Sequence, residues 1–173
     1  MRHRRCLAFT CSVLLIALLA APTIAQGERG KADLKAGSGL ITLDYGRPSL
    51  KGRDMLSKLA VGAYWRLGSD DVTLLTTPVD LAFGAAKLAK GSYSLWLKRT
   101  AEENYELVFN NQTTGHGMNH DAARDVAGVS MRKTTLPNPV ETLSLELEPA
   151  PNGGTFTLGW GMTKLATSFQ FGK

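Results

Sequence analysis

The segment from Asp44 to Thr73 concentrates the side chains of this sequence that do chemistry. It carries Arg47, Arg53 and Arg66, the aromatics Tyr45, Tyr64 and Trp65, and the adjacent acids Asp70 and Asp71. Guanidinium forks match carboxylate and phosphate oxygens, and aromatic faces suit sugar rings or cations. Tyr45, Arg47, Arg53, Trp65, Arg66, Asp70 and Asp71 are therefore the expected ligand-binding set. The same residues also have a structural use. Arginines that tie strand ends to Asp44, Asp54, Asp70 or Asp71 satisfy charges that are costly to bury alone. A carboxylate of Asp70 or Asp71 acting as a general base would instead make a hydrolase-like site. Neighbouring residues of a strand face opposite ways, however, so neither Asp70-Asp71 nor Glu102-Glu103 forms a ready acid/base couple.

A second constellation is His116-Gly-Met118-Asn-His120. In an extended chain the two imidazoles and the thioether share one face, a donor set that suits copper. The surrounding Gly115, Gly117, Asn119 and Asp121 read equally as a polar loop, and no third histidine follows the N-terminal segment to complete a site. The expectation is no metal and no other cofactor. No nucleophile elbow, zinc-protease helix, phosphate loop or dinucleotide fingerprint is present. The sequence thus leans away from an enzyme, and no catalytic residue is assigned.

The N-terminus bounds the setting. Arg2, Arg4 and Arg5 precede an apolar run from Leu7 to Ala21, then Pro22 and the small-residue end Thr23-Ile24-Ala25. This is the pattern of a secretory signal peptide over 1–25. The run is too short for a spanning helix, which needs about 20 apolar residues, so no membrane span is expected after cleavage. Cleavage leaves 148 of the 173 residues and removes three of the 20 basic residues but none of the 15 acidic ones, so the formal charge falls from +5 to +2. So weak a positive charge argues against a nucleic-acid partner. Both cysteines, Cys6 and Cys11, leave with the signal, and disulfide and thiol chemistry leave with them. The expected location is periplasmic or secreted.

The elements that must position these residues are strands. Residues 26–39, rich in Gly, Lys and Ala, read as a flexible leader. From Leu40 onward apolar residues recur with period two: Ile41, Leu43, Tyr45; Tyr93, Leu95, Leu97; Tyr105, Leu107, Phe109; Leu143, Leu145, Leu147; and Phe156, Leu158, Trp160. The cluster Pro149–Gly154 marks a hairpin, and Gly161–Lys164 marks another turn. One all-β domain over 40–173 follows, a single antiparallel β-sandwich of jelly-roll or immunoglobulin-like type, with at most one short helical turn, near Asp54–Ala60.

Five blocks in order carry a resemblance: Tyr45-Gly-Arg47-Pro48 with Lys51-Gly52-Arg53; Trp65-Arg66-x-Gly68; Lys90-Gly-Ser-Tyr-Ser-Leu95; Pro139-Val-Glu-Thr142; and a strand ending in Trp160-Gly161. Together they resemble the bacterial family known as domain of unknown function 2911, from about Ile41 to Phe171. The resemblance implies an exported single domain and assigns no activity. Where the family shows Trp-Gly and Tyr-Asp, this sequence has His116-Gly117 and His120-Asp121. The functional expectation is a small-ligand or glycan binding module of the cell envelope, with Asp70/Asp71 hydrolysis and copper capture by His116, Met118 and His120 as the alternatives. Export has a direct check. Protein recovered from the periplasm should have the intact mass of residues 26–173, and a membrane-bound species retaining Met1–Ala25 would contradict it.

Overall fold

A computed structural model describes residues 27–172. The signal-peptide assignment to 1–25 lies outside the described residues. Ten strands run in the order β1 (Arg29–Ala36), β2 (Gly39–Gly46), β3 (Tyr64–Trp65), β4 (Thr73–Thr77), β5 (Leu81–Phe83), β6 (Ala86–Leu88), β7 (Gly91–Arg99), β8 (Tyr105–Asn110), β9 (Asp125–Ala150) and β10 (Gly153–Phe171). Every pairing is antiparallel. The sheet order is β1-β2-β4-β7-β8-β9-β10-β5-β6, with β3 added to β7 beyond the end of β4. The sheet coils on itself as an open sandwich, and Leu34 of β1 comes to lie against Gly154 of β10. One 3-10 turn, Ala122–Arg124, is the only helical element among the described residues. The all-β architecture expected from the period-two pattern is therefore observed, with the helical turn displaced from 54–60 to 122–124.

The flexible leader is corrected. Residues 29–36 form β1, in register with β2 from Arg29↔Gly46 to Ala36↔Gly39. Ala and Lys are weak strand formers, which hid the element. The period is nevertheless there, because Ala32 is half-buried and Leu34 and Ala36 are buried, while Asp33 and Lys35 are exposed. Gly37, at φ +61°, opens the two-residue β1–β2 loop, where a positive φ lets the turn follow the strand twist.

The hairpin at Pro149–Gly154 forms as the turn residues require, pairing Leu147 with Phe156 and Leu145 with Leu158. The β10 chain then doubles back at Gly161, which takes φ +60°. On the return, Thr155 and Ser168 share a hydroxyl hydrogen bond of 3.0 Å, and the Phe171 N–H donates to the Asn152 carbonyl at 2.8 Å. Across Leu136–Pro139 the pairing of β9 with β10 jumps from Thr135↔Thr163 to Val140↔Gly161, so the two prolines fall where ladder bonds are not needed.

The core is the inner face of this coiled sheet. Ile41, Leu43, Leu97, Leu107, Leu143, Leu158 and Leu165 are all fully inaccessible. Strands β7 and β8 are unusual in being covered on both faces. Leu95, Leu97, Leu107 and Phe109 face the core. On the other side Ser94, Trp96, Val108 and Asn110 lie under the 111–124 segment, where Asn110 Nδ2 donates to the Asp121 carbonyl at 2.9 Å and to Asp125 at 2.8 Å.

Residues 66–72 dock onto the end of β2 through close backbone contact, with the Leu67 side chain buried in the core. A Cβ on Gly46 would stand 2.1 Å from the Ser69 carbonyl oxygen, and one on Gly68 2.9 Å from the Gly46 oxygen. Buried Thr73 locks the loop by donating its hydroxyl to the Leu67 carbonyl at 2.8 Å. Gly46→Ala should therefore cost about 1–3 kcal/mol, the usual range for forced overpacking. Chemical denaturation should show a lowered midpoint at unchanged slope.

Candidate functional site

The cross-strand register explains where the site lies. Tyr64 pairs with Lys98 and Trp65 with Leu97, so Tyr64 shares the outer sheet face with Trp96 while Trp65 shares the core face with Leu97. Beyond β3 the edge of β7 passes to β4, and the intervening residues 66–72 loop outward. Residues 48–50 meanwhile cross to the far edge of β9, with a Ser49↔Thr142 bridge and the Leu143 N–H donating to the Pro48 carbonyl at 3.0 Å. Between these segments opens a cleft of about 390 Å³, within the size range of small-ligand sites.

Its floor is aromatic. Trp65 stacks on Trp160 of β10 with centroids 5.0 Å apart and planes at 12°. Tyr64 stacks on the His120 ring at 3.7 Å, and Trp96 meets the same imidazole edge-on at 4.9 Å. All three tryptophans of the chain thus line one cleft. Two of their indole N–H groups differ in a way that matters. Trp96 Nε1 donates to the Ser94 hydroxyl at 3.2 Å, whereas Trp160 Nε1 is buried without an acceptor. An unpaired buried donor is costly, and in native proteins it calls for an explanation.

The rim is cationic. Arg53 and Arg66 both line the cleft, and no Asp or Glu does. Arg53 uses Nε to donate to the Leu50 carbonyl at 3.0 Å. Arg66 donates to the His116 carbonyl at 2.5 Å, to the Met118 sulfur at 3.3 Å and, through Nε, to the Gly68 carbonyl at 3.4 Å. It therefore acts as the post on which the 115–118 loop leans. Gly117 allows this approach, since a Cβ there would sit 2.8 Å from Arg66 Cδ. Among the described residues, neutral acceptors hold both guanidiniums, and none of those residues places a carboxylate on them.

The structure divides the sequence-derived set. Arg53, Trp65 and Arg66 come together at the cleft. Tyr45 is a core residue, 4 % exposed. Arg47 pairs with Glu28, and the Asp44 carboxylate takes Arg29. Asp70 occupies a left-handed turn position, φ +61°, and Asp71 pairs with His116 Nδ1 at 2.9 Å. Among the described residues Arg47 ties instead to Glu28, Arg53 to the Leu50 carbonyl, and Arg66 to the carbonyls of His116 and Gly68 and the Met118 sulfur. The reason is that β1, the strand hidden in the apparent leader, opens at Arg29 with Glu28 just before it.

The histidines also separate. His116 is exposed beside Asp71, while His120 is tucked inward with Nε2 at 2.8 Å from Asp125 Oδ1. Met118 is exposed and rests its sulfur on Arg66. Among the described residues no group of three His, Cys, Asp or Glu side chains converges as a metal site would.

Sequence reasoning missed Trp96, Trp160, Met55 and the Asp125 anchor. Trp96 did carry a signal, since it stands in the polar phase of β7 after Ser92 and Ser94, where a large aromatic has no core to fill. Trp160 was legible only as a strand residue.

An all-β domain with a tryptophan-floored, arginine-rimmed cleft is the class that this geometry defines. The chain belongs to the family described as Protein of unknown function (DUF2911), whose model matches residues 28–169. That match takes in β1 and confirms the resemblance carried by the five blocks. No curated protein and no solved structure gives a significant match.

The cleft wall at Met55 depends on a local turn. Asp54 accepts the Ser57 N–H at 3.1 Å, and this backbone bond holds its carboxyl below the usual 3.8. A depressed acid stabilises the fold above its unfolded pKa and loses that effect as pH falls through the folded value. Asp54→Ala should therefore lower stability at neutral pH by up to about 1 kcal/mol. The difference from the native chain should fade on acidification below pH 3.8, as read by melting temperature across a pH series.

Proposed function

We propose that this protein is an exported binding module for a small organic anion with a flat apolar or ring face, held in the Trp65–Trp160 cleft. The observation that carries the proposal is the pairing of two guanidiniums, which have no carboxylate partner among the described residues, with a stacked tryptophan floor. Arg53 and Arg66 supply charge-assisted donors for a carboxylate or phosphate. The tryptophan and tyrosine faces take the ring. An acidic sugar satisfies this description, as does a simple ring-bearing acid. The export pattern of 1–25 supports a role at the cell envelope. Asp70 and Asp71 do not line the cleft, and His116 and His120 engage different carboxylates. Nothing in the geometry therefore favours hydrolysis by those acids or copper capture by the loop over simple binding.

The test uses the three cleft tryptophans as reporters. Titration with D-glucuronate, glucose 6-phosphate and benzoate should change their emission and raise the melting temperature, while glucose should do neither. Arg66→Gln should weaken anion binding by about tenfold to a hundredfold, the cost of a lost charged hydrogen bond of about 1.5–3 kcal/mol. Equal responses to glucose and glucuronate, or none to any anion at millimolar concentration, would overturn the proposal.

A further inference from the structure

A second recess adjoins the first. It holds about 190 Å³ and is lined by Met55, Leu56, Leu59 and the Lys58 stem, together with Tyr64 and Trp65. Met55, Tyr64 and Trp65 line both spaces, so the two share a wall. Their chemistries differ. The cleft has the guanidiniums of Arg53 and Arg66 and the hydroxyls of Ser49 and Ser69. The groove offers methyls, methylenes, a thioether and ring faces, with a cation only where Lys58 stands.

From this continuity we infer that the ligand is an amphiphile: an acidic head in the cleft joined to a short unbranched alkyl or aryl tail in the Met55–Leu59 groove. The inference rests on the anion-binding reading of the cleft and narrows it. A second sugar ring does not match the groove, because its hydroxyls would meet no acceptor or donor among Met55, Leu56 and Leu59 and would be desolvated without compensation. An apolar chain loses nothing polar on entry and gains by leaving water. Geometry further limits its kind. The groove is less than half the volume of the cleft, so it takes a few methylenes or one phenyl group rather than a long acyl chain. The groove wall is itself well held. Arg99 fastens the 57–59 turn from β7, donating through one terminal nitrogen to the Ser57 carbonyl at 2.9 Å and the Leu59 carbonyl at 2.8 Å. A preformed wall gives up little order on binding, so more of the burial appears as affinity.

The experiment compares acetate, butanoate, hexanoate and octanoate, all below their micellar concentrations, by tryptophan emission of the full mature chain. D-Glucuronate serves as the tail-less reference. Affinity should rise by about fourfold per methylene, the equivalent of about 0.8 kcal/mol, until the groove is full. Leu59→Ala should flatten this slope while leaving glucuronate affinity unchanged. Leu59→Phe, which fills the groove instead of emptying it, should cut the slope off at a shorter chain, and it serves if Leu59→Ala proves unstable. Glucuronate binding with no chain-length dependence, or a slope indifferent to both variants, overturns the amphiphile and leaves the anion site standing. Absence of binding by every acid removes both.

Discussion

The close approach of Gly46 to Ser69 is the constraint on which the candidate site depends. It brings the backbone of the 66–72 loop against the end of β2 at a distance that admits no side chain. From there the connections run outward. Val72 donates its N–H to the Gly115 carbonyl at 3.1 Å, Arg66 props the 116–118 segment, and that segment forms one side of the cleft. Backbone contact, the buried Leu67 side chain, one buried threonine hydroxyl and neutral carbonyl acceptors carry most of this linkage, with Asp71 reaching His116 beside them, and none of these contacts places a carboxylate on Arg66.

A second dependence follows from the tryptophan stack. Trp65 comes from a two-residue strand that would be marginal alone, while Trp160 lies within β10, between Gly159 and Gly161, which pair with Ser144 and Val140 of β9. Stacking transfers the order of β10 to β3. Rigid aromatic surfaces of this kind offer much contact area at little conformational cost, the property required of a recognition floor.

The alternation of apolar and polar residues made the strands legible, because one buried face imposes a period of two on any half-buried strand. It revealed Leu143–Leu147 and Phe156–Trp160, and the Pro149–Gly154 turn joined them correctly. It failed for β1, where alanine and lysine carry the pattern weakly and the strand is recognised by its pairing with β2. Arg53, Trp65 and Arg66 were legible in the sequence because they lie in one dense segment. Trp160 and Asp125 were not, since they reach the site by way of β9 and β10, and no local pattern reports which distant strands become neighbours. The arginine partners were misjudged for the same reason: sequence proximity favoured Asp44, Asp70 and Asp71, and the fold delivered Glu28 and backbone oxygens.

The doubling-back of β10 has a consequence for how the chain is made. The last strand is not an edge decoration. Its returning half lies inside the sheet, pairing with residues 132–135 of β9 and with β5, and it carries Leu165 and Phe169 into the core. Strands β1 to β8 therefore emerge from the ribosome with no floor to close upon, and the pairings that complete the sandwich span most of the sequence. Such long-range closure is slow. The core therefore cannot be completed until residues 163–171 have joined it, and the segments before them wait without that half of their packing.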